Sequence, residues 1–212
     1  MSFAEFIGAN AQLTHRVLLY GPPKIGKTAA IGLLAKHMQV YVVDGERGGS
    51  VFANPELNLK DHWGNIKYFP VQDSHSVPLF AESTVKIVES ISKKAELQIC
   101  KAHGKVGRCP DCGTEENKYQ LFDFFSEPSM DKVLVLDSAT QLSNSILAMV
   151  MKVAGRGAVT AKAEFDDWGN QGKYLNYVFG AFQGLNLNIV VISHDSQVEM
   201  EDKRIILSPT AG

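Results

Sequence analysis

The sequence is short of the features that would place it in a membrane, outside a cell or directly on a nucleic-acid backbone. No run approaches the roughly 18 apolar residues that a spanning helix needs. The start, Met1-Ser2-Phe3-Ala4-Glu5, lacks the basic stretch and apolar core of a secretory signal, so the expected location is the cytoplasm. Net charge is −2 and the pI is near 6.3, which excludes a whole-protein basic field able to hold DNA by itself. Three cysteines, bunched between Cys100 and Cys112, do not make a secreted disulfide framework. Internal repeats and low-complexity tracts are missing too. What remains, at 212 residues with 45% hydrophobic and 21% charged, has the composition of an ordinary soluble globular protein. It is long enough for one domain with a sizeable core, or one domain carrying an insertion.

Short apolar runs punctuate the chain. Arg16-Val17-Leu18-Leu19-Tyr20 reads as a buried strand ending at glycine, and Thr28 to His37 has helical composition. Val40-Tyr41-Val42-Val43, closed by Asp44-Gly45, predicts a second buried strand, and Ile66 to Phe69 a short third one ended by Pro70. Apolar residues at Val85, Val88, Ile91, Ala95 and Ile99 predict a helix from Ser83 to about Gln98. Residues 100–117 break that pattern and read as an inserted loop. Val133-Leu134-Val135-Leu136 is another buried strand, followed by a helix from Ala139 to Val153. A small, polar loop is expected from Gly155 to Phe165, a helix from Tyr174 to Leu187, and strands at Ile189 to Ile192 and Arg204 to Leu207. Continuous apolar strands separated by helices predict a three-layer α/β fold around a mainly parallel sheet.

Gly21-Pro22-Pro23-Lys24-Ile25-Gly26-Lys27-Thr28 matches G-x-x-x-x-G-K-[ST] in full, between an expected strand and an expected helix that continues through Ala29. Backbone N–H groups of such a loop wrap the β-phosphate of a nucleoside triphosphate, and glycines allow the close approach. Lys27 would neutralise the β/γ-phosphates, and the Thr28 hydroxyl would ligate Mg²⁺. A second magnesium carboxylate should come from the end of an adjacent strand. Asp137, which closes a buried apolar run, is the candidate, because a charge there is costly without a partner; the competing reading is a simple helix cap.

Ser138 stands where many ATPases carry a catalytic glutamate, so the water-activating base must come from elsewhere. Asp44-Gly45-Glu46 lies just past a strand end, where open α/β sheets gather site residues. Glu46 is the candidate base, Asp44 the second. Ser193 or His194, at the end of another buried strand, would sense the γ-phosphate; a satisfied structural histidine is the alternative.

Taken together, the phosphate loop, Val42-Val43-Asp44-Gly45-Glu46 and Leu134-Val135-Leu136-Asp137-Ser138-Ala139-Thr140-Gln141-Leu142 resemble stretches of the RecA-like ATPase superfamily. Trp168-Gly169-Asn170-Gln171-Gly172-Lys173-Tyr174 and Ile192-Ser193-His194 are similar to patterns in its short bacteriophage-encoded members, some of which act in single-strand annealing or recombination. The resemblance spans Arg16 to Leu207. It implies a RecA-like P-loop ATPase domain over residues 1–212, with Lys27 and Thr28 on phosphate and Mg²⁺, Asp137 at the metal, Glu46 as base and His194 as γ-phosphate sensor. It further implies ATP and Mg²⁺ as cofactors and action on single-stranded DNA in phage recombination, annealing or replication. A homo-oligomer, a single-strand-binding protein as partner and a host-cell cytoplasmic location follow from it as well. DNA in such proteins is held by loops after the Walker B helix and after the sensor strand. Here these are Gly155 to Asp167, with Arg156 and Lys162, and Asp195 to Lys203, whose Glu199, Glu201 and Asp202 disfavour phosphate contact.

Cys100-x-x-His103 and Cys109-Pro110-Asp111-Cys112-Gly113 form two chelating pairs. Four N/S ligands complete a tetrahedral shell with no position for a catalytic water, which predicts a structural zinc in an insertion at residues 100–117. Proline and glycine suit the knuckle turn, and Lys101, Lys105 and Arg108 offset thiolate charge. A redox C-x-x-C would want a thioredoxin-like context, which is not there. Two other functions compete with the ATPase reading. One is a nucleoside or nucleotide kinase with a zinc-bearing loop, although the insert offers only Arg108 where kinase lids use several arginines. The other is a nucleotide-dependent scaffold without catalysis, in which Glu46 is incidental.

Overall fold

A computed structural model of the protein describes residues 14–73, 77–124, 131–158, 160–185, 187–199 and 205–210. In chain order these form β1 (Arg16–Gly21), α1 (Lys27–Leu34), β2 (Gln39–Asp44), β3 (Ile66–Pro70), α2 (Leu79–Lys93), β4 (Leu97–Cys100), β5 (Tyr119–Phe122), β6 (Lys132–Asp137), α3 (Ala139–Val153), α4 (Phe165–Gly184), β7 (Asn188–Glu199) and β8 (Ile205–Thr210), with short 3-10 turns between β2 and β3. Five strands make a parallel sheet in the order β1-β7-β6-β2-β3, and β8 pairs antiparallel with β7.

Alternation along the strands explains the layers. Val40, Val42, Val133, Val135, Val190 and Ile192 point to one face and pack with Ile31 of α1 and Phe52. Tyr41, Val43, Phe69, Leu134, Leu136 and Ile189 point to the other, where they meet Ile87, Ile146 and Val178 from α2, α3 and α4. Both faces are covered, so the middle positions Val40–Val43, Val133–Leu136 and Ile189–Ile192 are all apolar and the period of two disappears from the sequence. The α/β architecture with a mainly parallel sheet is the one expected. Among the described residues, no helix is long and apolar enough to cross a membrane.

Several local expectations need correction. β1 is not buried: Val17, Leu18 and Tyr20 are each about half exposed, because β1 pairs only with β7 among the described strands. Its apolar face opens on a groove of about 380 Å³ shared with Phe179 and Phe182. Helix α2 starts four residues before Ser83, where Asp73 accepts from Phe80 N at 2.7 Å. It ends at Lys93, because Lys94 turns left-handed at φ 52°. Leu97–Cys100 then forms an antiparallel hairpin with Tyr119–Phe122, so the insertion is a two-stranded unit and not only a loop. Helix α4 begins at Phe165, nine residues earlier than Tyr174. Asp167 accepts from Glu164 N at 2.8 Å and fixes that start. Asp195 to Glu199 belong to β7 and not to a loop; residues 200–204 lie outside the described segments.

Candidate functional site

Parallel register lines up the strand ends. Gly21 sits beside His194, Asp137 beside Ile192, and Asp44 beside Asp137. One sheet edge therefore carries the phosphate loop, the Asp137 carboxylate, the Asp44–Glu46 turn and His194. They border a cleft of about 460 Å³ lined by Pro23, Lys24, Gly26, Lys27, Thr28, Ala29, Glu46, Gly48, Val51, Asp137, Ile192 and His194.

The loop wraps as its composition requires. Gly21 has φ 153°, and a Cβ there would lie 2.6 Å from Ile25 Cδ1; Gly26 has φ 91° at the start of α1. A side chain at Gly21 would meet Ile25, and the positive φ at Gly26 is one that residues with a Cβ rarely adopt. Lys24 also adopts a positive φ, 67°. Lys27 is buried, and its Nζ donates to the carbonyls of Gly21 and Pro22 at 2.7 Å each.

Asp137 is 2% exposed, and its Oδ2 accepts from the Thr28 hydroxyl at 2.8 Å. Burial pushes its carboxyl up to about 6. The charges of Asp44 and Glu46 add to the rise, while the Thr28 hydrogen bond and His194 oppose it. A buried carboxylate of this kind suits a hard divalent cation. The raised value has a definite sign. Its contribution to stability is complete below the unfolded value near 3.8 and is lost as pH rises through about 6. Without nucleotide or added Mg²⁺, the wild type should lose roughly 2–3 kcal/mol relative to Asp137→Asn between pH 4 and pH 7.5. Denaturant titrations of both proteins across that range measure it; parallel curves would contradict it.

Glu46 reaches the place left open at position 138. Its Oε1 accepts from the Ser138 hydroxyl and lies 2.7 Å from His194 Nε2. A carboxylate only accepts, so His194 Nε2 carries the hydrogen, and Nδ1 faces Lys27 Nζ at 3.4 Å. Ser138 also accepts from Gln141 N at 3.2 Å, capping α3. Lys27, His194 and Glu46 thus meet in one network, and Asp137, bonded to Thr28, lines the same cleft. Asp44 is differently engaged. It is fully buried, and its Oδ1 accepts from the N–H groups of Glu46 and Arg47 at 2.7 and 2.8 Å. Thr140 gave no sequence signal, yet its Oγ1 accepts from His194 N at 3.0 Å and ties α3 to the end of β7.

The cysteine cluster lies on the same sheet edge, past β3. His103 O accepts from Gln72 N at 3.3 Å, and Ser83 Oγ donates to Gly104 O at 2.9 Å. Ligand atoms of Cys100, His103, Cys109 and Cys112 all lie within 4.8 Å of one another. His103 Nδ1 is 3.4 Å from the sulfurs of Cys109 and Cys112 and 3.8 Å from that of Cys100, and the Cys100 and Cys112 sulfurs are 3.5 Å apart. A tetrahedral zinc with bonds of about 2.0–2.3 Å spaces its ligands by roughly 3.5–3.8 Å. The four groups fit that shell. The hydrogen bond shared with Cys100, together with burial and the neighbouring Cys109, pushes the Cys112 thiol up to about 11. Burial raises Cys100, but N–H groups of His103 and Ala102 outweigh it and hold that thiol below its ordinary value. All three cysteines are free of disulfides.

Arg156 is not left facing solvent for a nucleic-acid backbone. Its Nε donates to Asp167 Oδ2 at 3.2 Å, its NH2 pairs with Asp167 Oδ1, and its NH1 lies 3.3 Å from Glu164. The backbone N–H of Glu164 and then the guanidinium hold the Asp167 carboxyl below its usual range. Arg156 thereby fastens the start of α4. Lys162 is exposed.

A family model described as an AAA domain matches residues 14–208. No curated protein matches.

Proposed function

Because the chain belongs to the AAA-domain family and carries its P-loop ATPase domain, we propose that it hydrolyses ATP with Mg²⁺ at the β1–β7–β6–β2 edge. The observation that carries this reading is the meeting of Lys27, Thr28, Asp137 and Glu46 around one cleft, although their positions are far apart in sequence. Magnesium ATP, when bound, brings the phosphoanhydride and the charge neutralisation that phosphoryl transfer to water uses. Residues 21–29 would hold the phosphates, those after Pro23 through backbone N–H groups, with Lys27 adding its ammonium. Thr28 Oγ1 and Asp137 Oδ2 are the protein oxygens for the metal. Glu46 Oε1 would take the proton of the attacking water, and His194 would report the γ-phosphate to β7.

The chain is read as one ATPase domain with the cysteine hairpin as its insertion, where Cys100, His103, Cys109 and Cys112 hold a structural zinc. Four protein ligands leave such an ion no position for water, which supports a structural role. RecA-like character, a bacteriophage source, action on single-stranded DNA, a single-strand-binding partner and self-assembly are supported by the motif resemblance. Of the two cations expected to contact DNA, Lys162 is exposed and Arg156 is partly engaged by Asp167 and Glu164.

The purified protein should release phosphate from ATP only with Mg²⁺, faster when single-stranded DNA is added, and contain about one zinc per chain by elemental analysis. Phosphorylated nucleoside as the product would replace hydrolysis by a kinase reaction, and tight ATP binding without turnover would leave a scaffold. Unstimulated release would remove DNA from the reading, and metal-free folded protein would remove zinc.

A further inference from the structure

The loop that carries Glu46 joins the end of β2 to the 3-10 turn at Gly48–Ala53. Two side chains pin it. Asp44 holds the near end through the N–H groups of Glu46 and Arg47. The second is Tyr68, on β3, opposite Val42 in the register. Its hydroxyl donates to Asp44 Oδ2 at 2.7 Å and accepts from Gly49 N at 3.2 Å. One phenol oxygen thus bridges both ends of the Asp44–Gly49 segment. Gly49 lies so close to the Tyr68 ring that a Cβ there would overlap it.

The phenol is well placed to stay a donor. Burial, and then the Asp44 carboxylate, push its pKa well above the ordinary tyrosine value. Its ring packs edge-on against Phe52, with centroids 6.0 Å apart. Its carbonyl accepts from Gln120 Nε2 of the cysteine hairpin at 2.7 Å. The strand is thereby held from outside while the hydroxyl works inward on the loop.

We infer that Tyr68 is a positioning residue for Glu46, clamping the Asp44–Gly49 segment so that the Glu46 carboxylate stays against Ser138 and His194. The inference rests on the reading of Glu46 as base. It follows from the hydroxyl bonds: both partners of this oxygen belong to the one segment that delivers Glu46. Among the described residues neither partner is hydrogen-bonded to the phosphate loop, so the clamp acts first on the base.

Tyr68→Phe keeps the ring and removes the bridge. ATP turnover should fall about tenfold, as a small misplacement of a reacting group does, with KM and the affinity for a fluorescent ATP analogue unchanged. In a Glu46→Gln background the same substitution should leave turnover where Glu46→Gln alone puts it, because the two residues act as a unit. Normal turnover in Tyr68→Phe, or an equal loss in both backgrounds, overturns the inference. Glu46→Gln turning over at the wild-type rate overturns the base reading instead. Should Tyr68→Phe fail to fold, Gly49→Ala displaces the ring while keeping its hydroxyl. It should give the same selective loss, and unchanged turnover in it overturns the clamp.

Discussion

Replacing Lys27 by alanine should leave a folded protein that neither retains ATP nor releases phosphate. The buried ammonium already sits in a ring of oxygens, 2.7 Å from the carbonyls of Gly21 and Pro22. An isolated charge in such a place is costly, and it is tolerated because the loop's carbonyls compensate it in part. Phosphate oxygens are better partners than neutral carbonyls, being charged and able to take short hydrogen bonds. Removing the ammonium deletes that attraction in the ground state and the charge stabilisation that grows in the transition state. Turnover should drop by roughly 10³-fold or below detection, the upper range for loss of one preorganised electrostatic group. Circular dichroism and zinc content should match the wild type, since the cysteine hairpin lies across the sheet edge from Lys27. Hydrolysis near the wild-type rate would move the site away from Gly21–Thr28.

Much of the cleft's lining is legible in the sequence. Gly21, Gly26, Lys27 and Thr28 form a contiguous motif whose spacing is dictated by a phosphate, so local sequence carries it whole. Asp137 could be read because a carboxylate ending Val133–Leu136 contradicts its apolar run. The place of Glu46 at the cleft follows from strand-end placement, a weaker cue, because parallel strands deliver their C-terminal ends to one edge. The strands β2, β6 and β7 were visible because both faces are buried.

What stayed hidden depends on contacts between distant segments. The start of α2 is fixed by Asp73, which also accepts from Ser145 Oγ at 3.0 Å and Gln141 Nε2 at 3.1 Å on α3. Leu97–Cys100 continues the helical spacing of α2, and only pairing with Tyr119–Phe122 makes it a strand. Gly169 and Gly172 mask the first turns of α4, which depend on Asp167, Arg156 and the buried Gln171 amide donating to Ser143. An apolar run also reads the same at an edge as in the middle of a sheet, so the exposure of Val17 and Leu18 had no signature. Arg156 looked like a cation available to DNA because its carboxylate partner is eleven residues on. Tyr68 has no motif at all; its hydroxyl matters through Asp44 and Gly49.

The central claim is that Glu46 belongs to the phosphate site as the proton acceptor. Glutamine at this position preserves size and an oxygen for Ser138 and His194, yet cannot take the proton. Binding should therefore survive while chemistry fails. The direct measurement compares affinity for a fluorescent ATP analogue with phosphate release, using one preparation of Glu46→Gln beside the wild type. Affinity should be unchanged and release slower by at least ~10²-fold, the scale of a lost general base. Release at the wild-type rate with binding intact would contradict the account, and Glu46 would then be a bystander on the rim of the cleft.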